Sequence, residues 1–200
     1  MTIRPVVFVG VGGSGNKTLR TLRQALLRRL RQSGWEKDEL PEAWQMVAID
    51  TITSDSPDGY SAPLLPGASY FGLVPKAMTY DQIVAAMVSN TDPNKRQEAF
   101  AGWLSEKLIG DVGFGAGQNR AVGRAISAAN LVRMKNRLQS AYDAAKNAQV
   151  ELEQVADLLG ANGVAMNPFA VVISSLSGGT GSGMFLDVIE SLKAVNHELG

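Results

Sequence analysis

Short apolar runs alternate along this chain with glycine-rich turns and amphipathic stretches. That is the order of a sheet covered by helices. Ile3 to Val9 is a short apolar run and predicts a central parallel strand. Gly10-Val11-Gly12-Gly13-Ser14-Gly15 then reads as a tight turn. Leu19, Leu22, Leu26 and Leu30 at helical spacing predict a helix from Asn16 to Arg31, ended by Ser33-Gly34. Gln45 to Ile49 predicts a second strand, finishing at Asp50-Thr51. Residues 53–76 are rich in Pro, Gly and Ser and read as an extended surface loop. Helices are expected near 79–89 and 93–109, then a second glycine-rich loop from Gly110 to Gly117. Phe169-Ala170-Val171-Val172-Ile173 predicts a third strand, and Met184 to Ile189 a last helix.

Asn119 to Leu159 reads as one long helix or two end to end, because neither Pro nor Gly interrupts it after Gly123. Leu131, Met134, Leu138, Ala141, Ala145, Ala148, Leu152, Val155 and Leu159 alternate steps of three and four, a heptad seam. The seam suits a helix partner or packing against the chain's own sheet. Taken together, strand, glycine loop, helix, strand, helices, strand, glycine loop and helix imply an α/β fold: a parallel sheet with helices on both faces. Ligands of such sheets bind at the carboxyl ends of the strands.

Composition narrows the chemistry. The chain has 200 residues, 45% of them hydrophobic, and zero net charge. That suits one α/β domain and gives no global pull toward nucleic acid or membrane. With no cysteine and a single histidine, His197, thiolate metal sites, disulfides and histidine triads are disfavoured. No apolar run reaches membrane-spanning length, and the N-terminus reads as a strand rather than a signal peptide, so a cytoplasmic protein is expected. Charge is uneven. Arg4, Lys17, Arg20, Arg23, Arg28, Arg29 and Arg31 precede an acidic stretch of Glu36, Asp38, Glu39, Glu42, Asp50, Asp55 and Asp58. A basic helix of this kind can meet an anionic partner; pairing with the acidic segment beyond it is the simpler expectation.

The most informative segment is Ser177-Gly178-Gly179-Thr180-Gly181-Ser182-Gly183, set between a strand and a helix. Free amides at a helix N-terminus point outward with the positive end of the dipole. Glycines let phosphate oxygens approach them, and the hydroxyls of Thr180 and Ser182 are expected to donate as well. Gly10-x-Gly12-x-x-Gly15 matches the dinucleotide fingerprint, but that fold wants an acid about 20 residues on. Asp50 lies 35 beyond Gly15. A dinucleotide-binding oxidoreductase therefore remains only an alternative. A phosphate loop of the Gly-Lys-Ser/Thr type is excluded by sequence.

Three segments together resemble the tubulin and FtsZ superfamily. Val7-Phe8-Val9-Gly10-Val11-Gly12-Gly13-Ser14-Gly15 is similar to its first phosphate loop. Gly113-Phe114-Gly115-Ala116-Gly117-Gln118-Asn119-Arg120-Ala121-Val122-Gly123-Arg124 is similar to its Gly-x-Gly-Ala-Gly loop and the helix that follows. Ser177 to Gly183 is similar to the tubulin signature, with Ser in place of its first Gly. The resemblance spans Ile3 to Gly200 apart from long inserted stretches, and is nearest the bacterial tubulin-like branch. Departures are the long stretch from Asp50 to Gly113, and Asp50-Thr51 where FtsZ has Asn-Thr.

The resemblance implies a Rossmann-like sheet of the tubulin/FtsZ nucleotide-binding type with a helical, loop-rich insertion at about 53–109. It implies GTP or GDP with Mg²⁺ as ligand, and GTP-dependent filament formation. Gly12, Gly13, Ser14, Gly15 and Asn16 would line the α- and β-phosphates, and Gly115, Ala116, Gly117 and Asn119 would approach the γ-phosphate. Ser177, Gly178, Gly179, Thr180, Gly181, Ser182 and Gly183 would cradle the phosphates. Asp50 would orient Mg²⁺ through water or cap its turn. In this family the acids that activate water come from the next subunit, so no catalytic residue is expected in this chain. Glu198-Leu199-Gly200 matches the residues before the family's next strand, so the chain reads as the N-terminal part of a nucleotide-binding domain, truncated, and poorly stable or self-associating alone. A scaffold that keeps the pocket as a switch, binding a partner through the insertion or the heptad helix, is the alternative.

Overall fold

The computed structural model describes residues 2–55, 58–74, 79–89 and 116–195. Strand β1 (Thr2–Ile3) leads into β2 (Val6–Val11), helix α1 (Gly12–Gln32) and strand β3 (Trp44–Ile52). A short 3-10 turn at Gly67–Ser69 precedes β4 (Tyr70–Val74), followed by α2 (Tyr80–Ser89). Then come α3 (Arg120–Ala129), α4 (Leu131–Asn147), α5 (Gln149–Leu158), β5 (Gly163–Val164), β6 (Phe169–Ser174) and α6 (Gly179–Val195).

The main sheet has the order β4-β3-β2-β6 and every pairing in it is parallel. The α/β parallel sheet expected from the sequence is therefore the fold. A second, two-stranded parallel sheet joins β1 to β5. Apolar runs become central strands here because both faces are covered. On β2, Val7, Val9 and Val11 enter a core with Val47, Ile49, Met184 and Val188, under α3, α4 and α6. The alternate residues, with Phe8, Met46 and Ala48, pack against Leu19 and Leu22 of α1 on the opposite face. The period-two side-chain alternation of a strand thus feeds two cores.

Four sequence expectations need correction. Residues 53–76 are not simply a surface loop, because Tyr70–Val74 is a strand of the main sheet beside β3. Its Tyr-Phe-x-Leu-Val pattern has high strand propensity, which the surrounding Pro and Gly obscured. The stretch 119–159 is three helices, broken at Asn130 and Ala148. Asn130 ends α3 by donating its backbone N–H to Ser127 O and its Nδ2 to Ile126 O, a break that needs neither Pro nor Gly. The heptad seam serves the chain's own core: Met134, Leu138, Ala141 and Ala145 lie under the main sheet, while Leu152 and Val155 join a separate cluster with Ile3, Leu30 and Trp35. Finally, α1 starts at Gly12 rather than Asn16 and α6 at Gly179 rather than Met184, so the glycine runs are themselves first helical turns. The helix expected near 93–109 lies outside the described residues. The acidic segment does meet the basic helix: Arg31 pairs with Asp38 at 2.5 Å, and Arg23 donates to the Asp38 carbonyl.

Candidate functional site

Register decides where the glycine runs meet. Val11, the last residue of β2, lies opposite Ser174, the last residue of β6. Both strands therefore release their chains at the same height on the same edge, and α1 and α6 begin side by side. Between them is a cavity of about 270 Å³ lined by Val11, Gly12, Gly13, Ser14, Lys17, Gly117, Ser175, Gly178, Gly179, Thr180 and Gly181. Larger grooves elsewhere hold carboxylates, as at Glu39, Glu42 and Glu151. Among the described residues, the lining of this one contains a lysine, three hydroxyl residues and backbone, with no carboxylate.

Both helix starts are electrostatically prepared for negative charge. Neither carries an acid in its first turn, and Val11 gives α1 no side-chain cap. The first amides of an uncapped helix need partners from outside it. Gly12 adopts φ +72°, a conformation that lets strand β2 turn directly into α1 and that a side chain would strain. At Gly13, Gly117 and Gly178 a Cβ would meet nothing within 4 Å, so these positions border open space.

The remaining predicted residues have other surroundings. Gly15 is pressed on Gly10 and the Ile173 carbonyl. Asn16 is buried at 5% exposure with no partner for its Oδ1, and it is not in the cavity lining. Ser182, expected to donate to a ligand, donates to the Gly178 carbonyl at 2.6 Å, the back-bond of a helical serine. Ser177 shares its hydroxyl with Ser175 at 2.8 Å. A methyl on Gly183 would stand 2.6 Å from the Arg120 carbonyl oxygen. Ala116 is in the core, and Asn119 caps α3 by accepting the N–H groups of Ala121 and Val122. Gly115 lies outside the described residues. The sequence reading missed three lining residues, Val11, Lys17 and Ser175. Lys17 stood one residue beyond the motif, and its helical position inside the first turn and a half of α1 was the signal.

Asp50 lies within β3, two residues before its end and outside the cavity lining, so the strand runs past the expected finish at Asp50-Thr51. Its Oδ1 accepts the Thr51 N–H at 2.7 Å and the Thr51 hydroxyl at 3.2 Å, and the Thr51 hydroxyl lies 3.4 Å from that of Thr180. Burial raises its pKa above the usual 3.8; the Thr51 and Thr180 donors oppose the rise and Asp55 adds to it. Asp50 thus bonds its neighbour Thr51 within β3 and is linked to the α6 start through Thr51 and Thr180. Among the described residues no cluster of three or more metal-ligating side chains occurs, and no helix is long and apolar enough to cross a membrane.

A parallel sheet with two glycine-rich helix starts converging on one cavity, lined among the described residues without a carboxylate, can hold a polyanion in its backbone amides. No curated protein matches the chain. The model of the family described as tubulin like matches residues 7–200, and the chain belongs to that tubulin-like family.

Proposed function

We propose that the chain binds GTP and GDP by their phosphates at the cavity between α1 and α6, and that it takes part in GTP-dependent filament formation. The observation that carries this reading is the cavity's composition: the start of α1 without a side-chain cap, Gly13, Gly117 and Gly178 open to the cavity, and, among the described residues, hydroxyl and ammonium donors without a carboxylate. Such a lining favours an anion with several oxygens. Guanine preference and self-association rest on family membership. Asp50, Thr51 and Thr180 fit a role in holding Mg²⁺, which usually takes one or two carboxylates plus substrate phosphates. When bound, the ion would neutralise phosphate charge; the chain's own part is to keep Asp50 oriented through Thr51. Hydrolysis completed by a neighbouring subunit is part of the same reading and rests on family membership.

Calorimetric titration with GTP, ATP and NAD tests this reading. Preference for GTP is the expected result. Preference for NAD would restore the dinucleotide alternative, and robust GTP turnover by the isolated chain would overturn the division of labour between subunits.

A further inference from the structure

We infer, on the reading of the cavity as a polyphosphate site, that Lys17 is its cation and exchanges partners: Asp58 holds the ammonium when the cavity is empty, and the anion takes it when bound. Lys17 lines the cavity and is the one charged residue among the described residues that line it. Its Nζ lies 3.1 Å from Asp58 Oδ2 and 5.7 Å from the centre of the Tyr60 ring. The side chain is 45% exposed, on a flexible stem that can swing between partners.

The segment that carries Asp58 has an anchor that does not depend on Lys17. Arg20, one turn further along α1, is 3% exposed. It donates to Asp58 Oδ1 at 3.1 Å and, through Nε, to the Ala62 and Pro63 carbonyls at 2.9 and 3.1 Å. The Thr21 hydroxyl meets the Tyr60 hydroxyl at 2.9 Å. Three residues on one stripe of α1, at i, i+3 and i+4, therefore grip residues 58–63. If Lys17 leaves, Asp58 keeps Arg20 and the Tyr60 N–H, so the exchange strands no charge. The pair given up is solvent-exposed and weak, whereas bonds from an ammonium to phosphate oxygens are charge-assisted and short. The carboxyl of Asp58 stays ionised throughout the neutral range, held near 2 by Lys17 first, then the Tyr60 N–H and Arg20.

The test is a double-mutant cycle read by calorimetry with two probes, GTP and inorganic tripolyphosphate, on the full chain. Lys17→Met should weaken both by about 10-fold or more, the worth of one bond to a charged group, and Lys17→Arg should restore much of the loss. Asp58→Asn should tighten both, by removing the competitor. In the Lys17→Met background that tightening should disappear. If Asp58→Asn tightens equally with and without Lys17, its effect is plain charge repulsion and the exchange is wrong. Unchanged affinity in Lys17→Met also overturns it. Wild-type binding of tripolyphosphate but not GTP would remove the nucleotide assignment while the cycle still decides the exchange; binding of neither probe overturns both.

Discussion

Helices α1 and α6 both begin in glycine runs, on adjacent parallel strands, beside the same cavity. They differ in what stands behind the glycines. At α1, Gly13 faces open space, Gly12 is needed for its backbone conformation, and Gly15 alone is pressed on main chain, that of β2 and β6. At α6, Gly179, Gly181 and Gly183 are backed by main chain. A methyl on Gly179 would lie 2.7 Å from the Ala116 carbonyl oxygen, and one on Gly181 2.5 Å from the Ser175 carbonyl oxygen. On the facing helix, Gly123 leaves room only for the Gly179 carbonyl. Helices α3 and α6 therefore touch backbone to backbone, as small residues permit. A motif that reads as a ligand cradle is, over half its length, a helix-packing surface. The cradle holds its shape because that surface is tight.

The sharpest way to break this contrast is Gly183→Ala. The new methyl meets the Arg120 carbonyl, the Arg124 amide and Gly123, all backbone, at 2.6–2.8 Å. None can rotate away, so the cost should reach about 3 kcal/mol, the upper end for overpacking. Chemical denaturation measures it; a variant as stable as wild type would mean that the two helices are not in close contact.

Next in size is the ion pair that crosses the same helix pair. Arg124 of α3 bonds Asp187 of α6, whose side chain is only 9% exposed. Burial raises the Asp187 pKa, opposed by the Ser127 hydroxyl and Arg124. Arg124→Met leaves that carboxylate without its cation. The expected loss is about 1–2 kcal/mol, below the figure for fully buried pairs, because Arg124 is 39% exposed and water screens it. Equal stability of the variant at neutral pH would count against the pair.

At the α1 start the same kind of change should act on binding instead. Gly13→Leu meets no atom within 4 Å of its Cβ, and a side chain is favoured over glycine within a helix. Stability should hold or rise slightly, while GTP affinity falls about 10-fold from the loss of bonds to charged oxygens. Loss of both together would erase the distinction between the two glycine runs.

The smallest effect concerns Asp50, which couples β3 to the α6 start. Its raised pKa means that the folded chain keeps a proton where the unfolded chain has lost it. Its contribution to stability is present at low pH and declines as pH rises through the window above 3.8. Asparagine can still accept the Thr51 N–H but never ionises. Asp50→Asn should be slightly more stable than wild type at pH 7, and the two should converge below about pH 4. Denaturation curves at both pH values check the sign; divergence at low pH would refute it.

Much of the frame was legible in the sequence. The apolar runs at 45–49 and 169–173 are strands of the main parallel sheet, the run at 3–9 is split at Arg4-Pro5 between β1 of the small sheet and β2 of the main one, and the helix expected at 79–89 is present at Tyr80–Ser89. Both glycine runs flank one cavity at one sheet edge. Less legible were the strand at Tyr70–Val74, masked by Pro and Gly around it, and the helix break at Asn130, made by a side chain closing on Ile126 O. Ser182 and Asn119 carry the right groups for a ligand, but α6 and α3 use those groups for their own backbones.

What the sequence determined by itself is local: which segments are apolar enough to be buried on two faces, and where glycine permits a strand to become a helix without a loop. Those properties depend on side-chain chemistry and backbone freedom within a few residues. What only the tertiary structure decided is which face of each turn looks at the cavity and which at another backbone. That depends on the alignment of Val11 with Ser174 across the sheet, on α3 lying against α6, and on Asp58 reaching Lys17 from 41 residues away. Such contacts arise from register and packing between distant segments, which no local pattern of residues encodes.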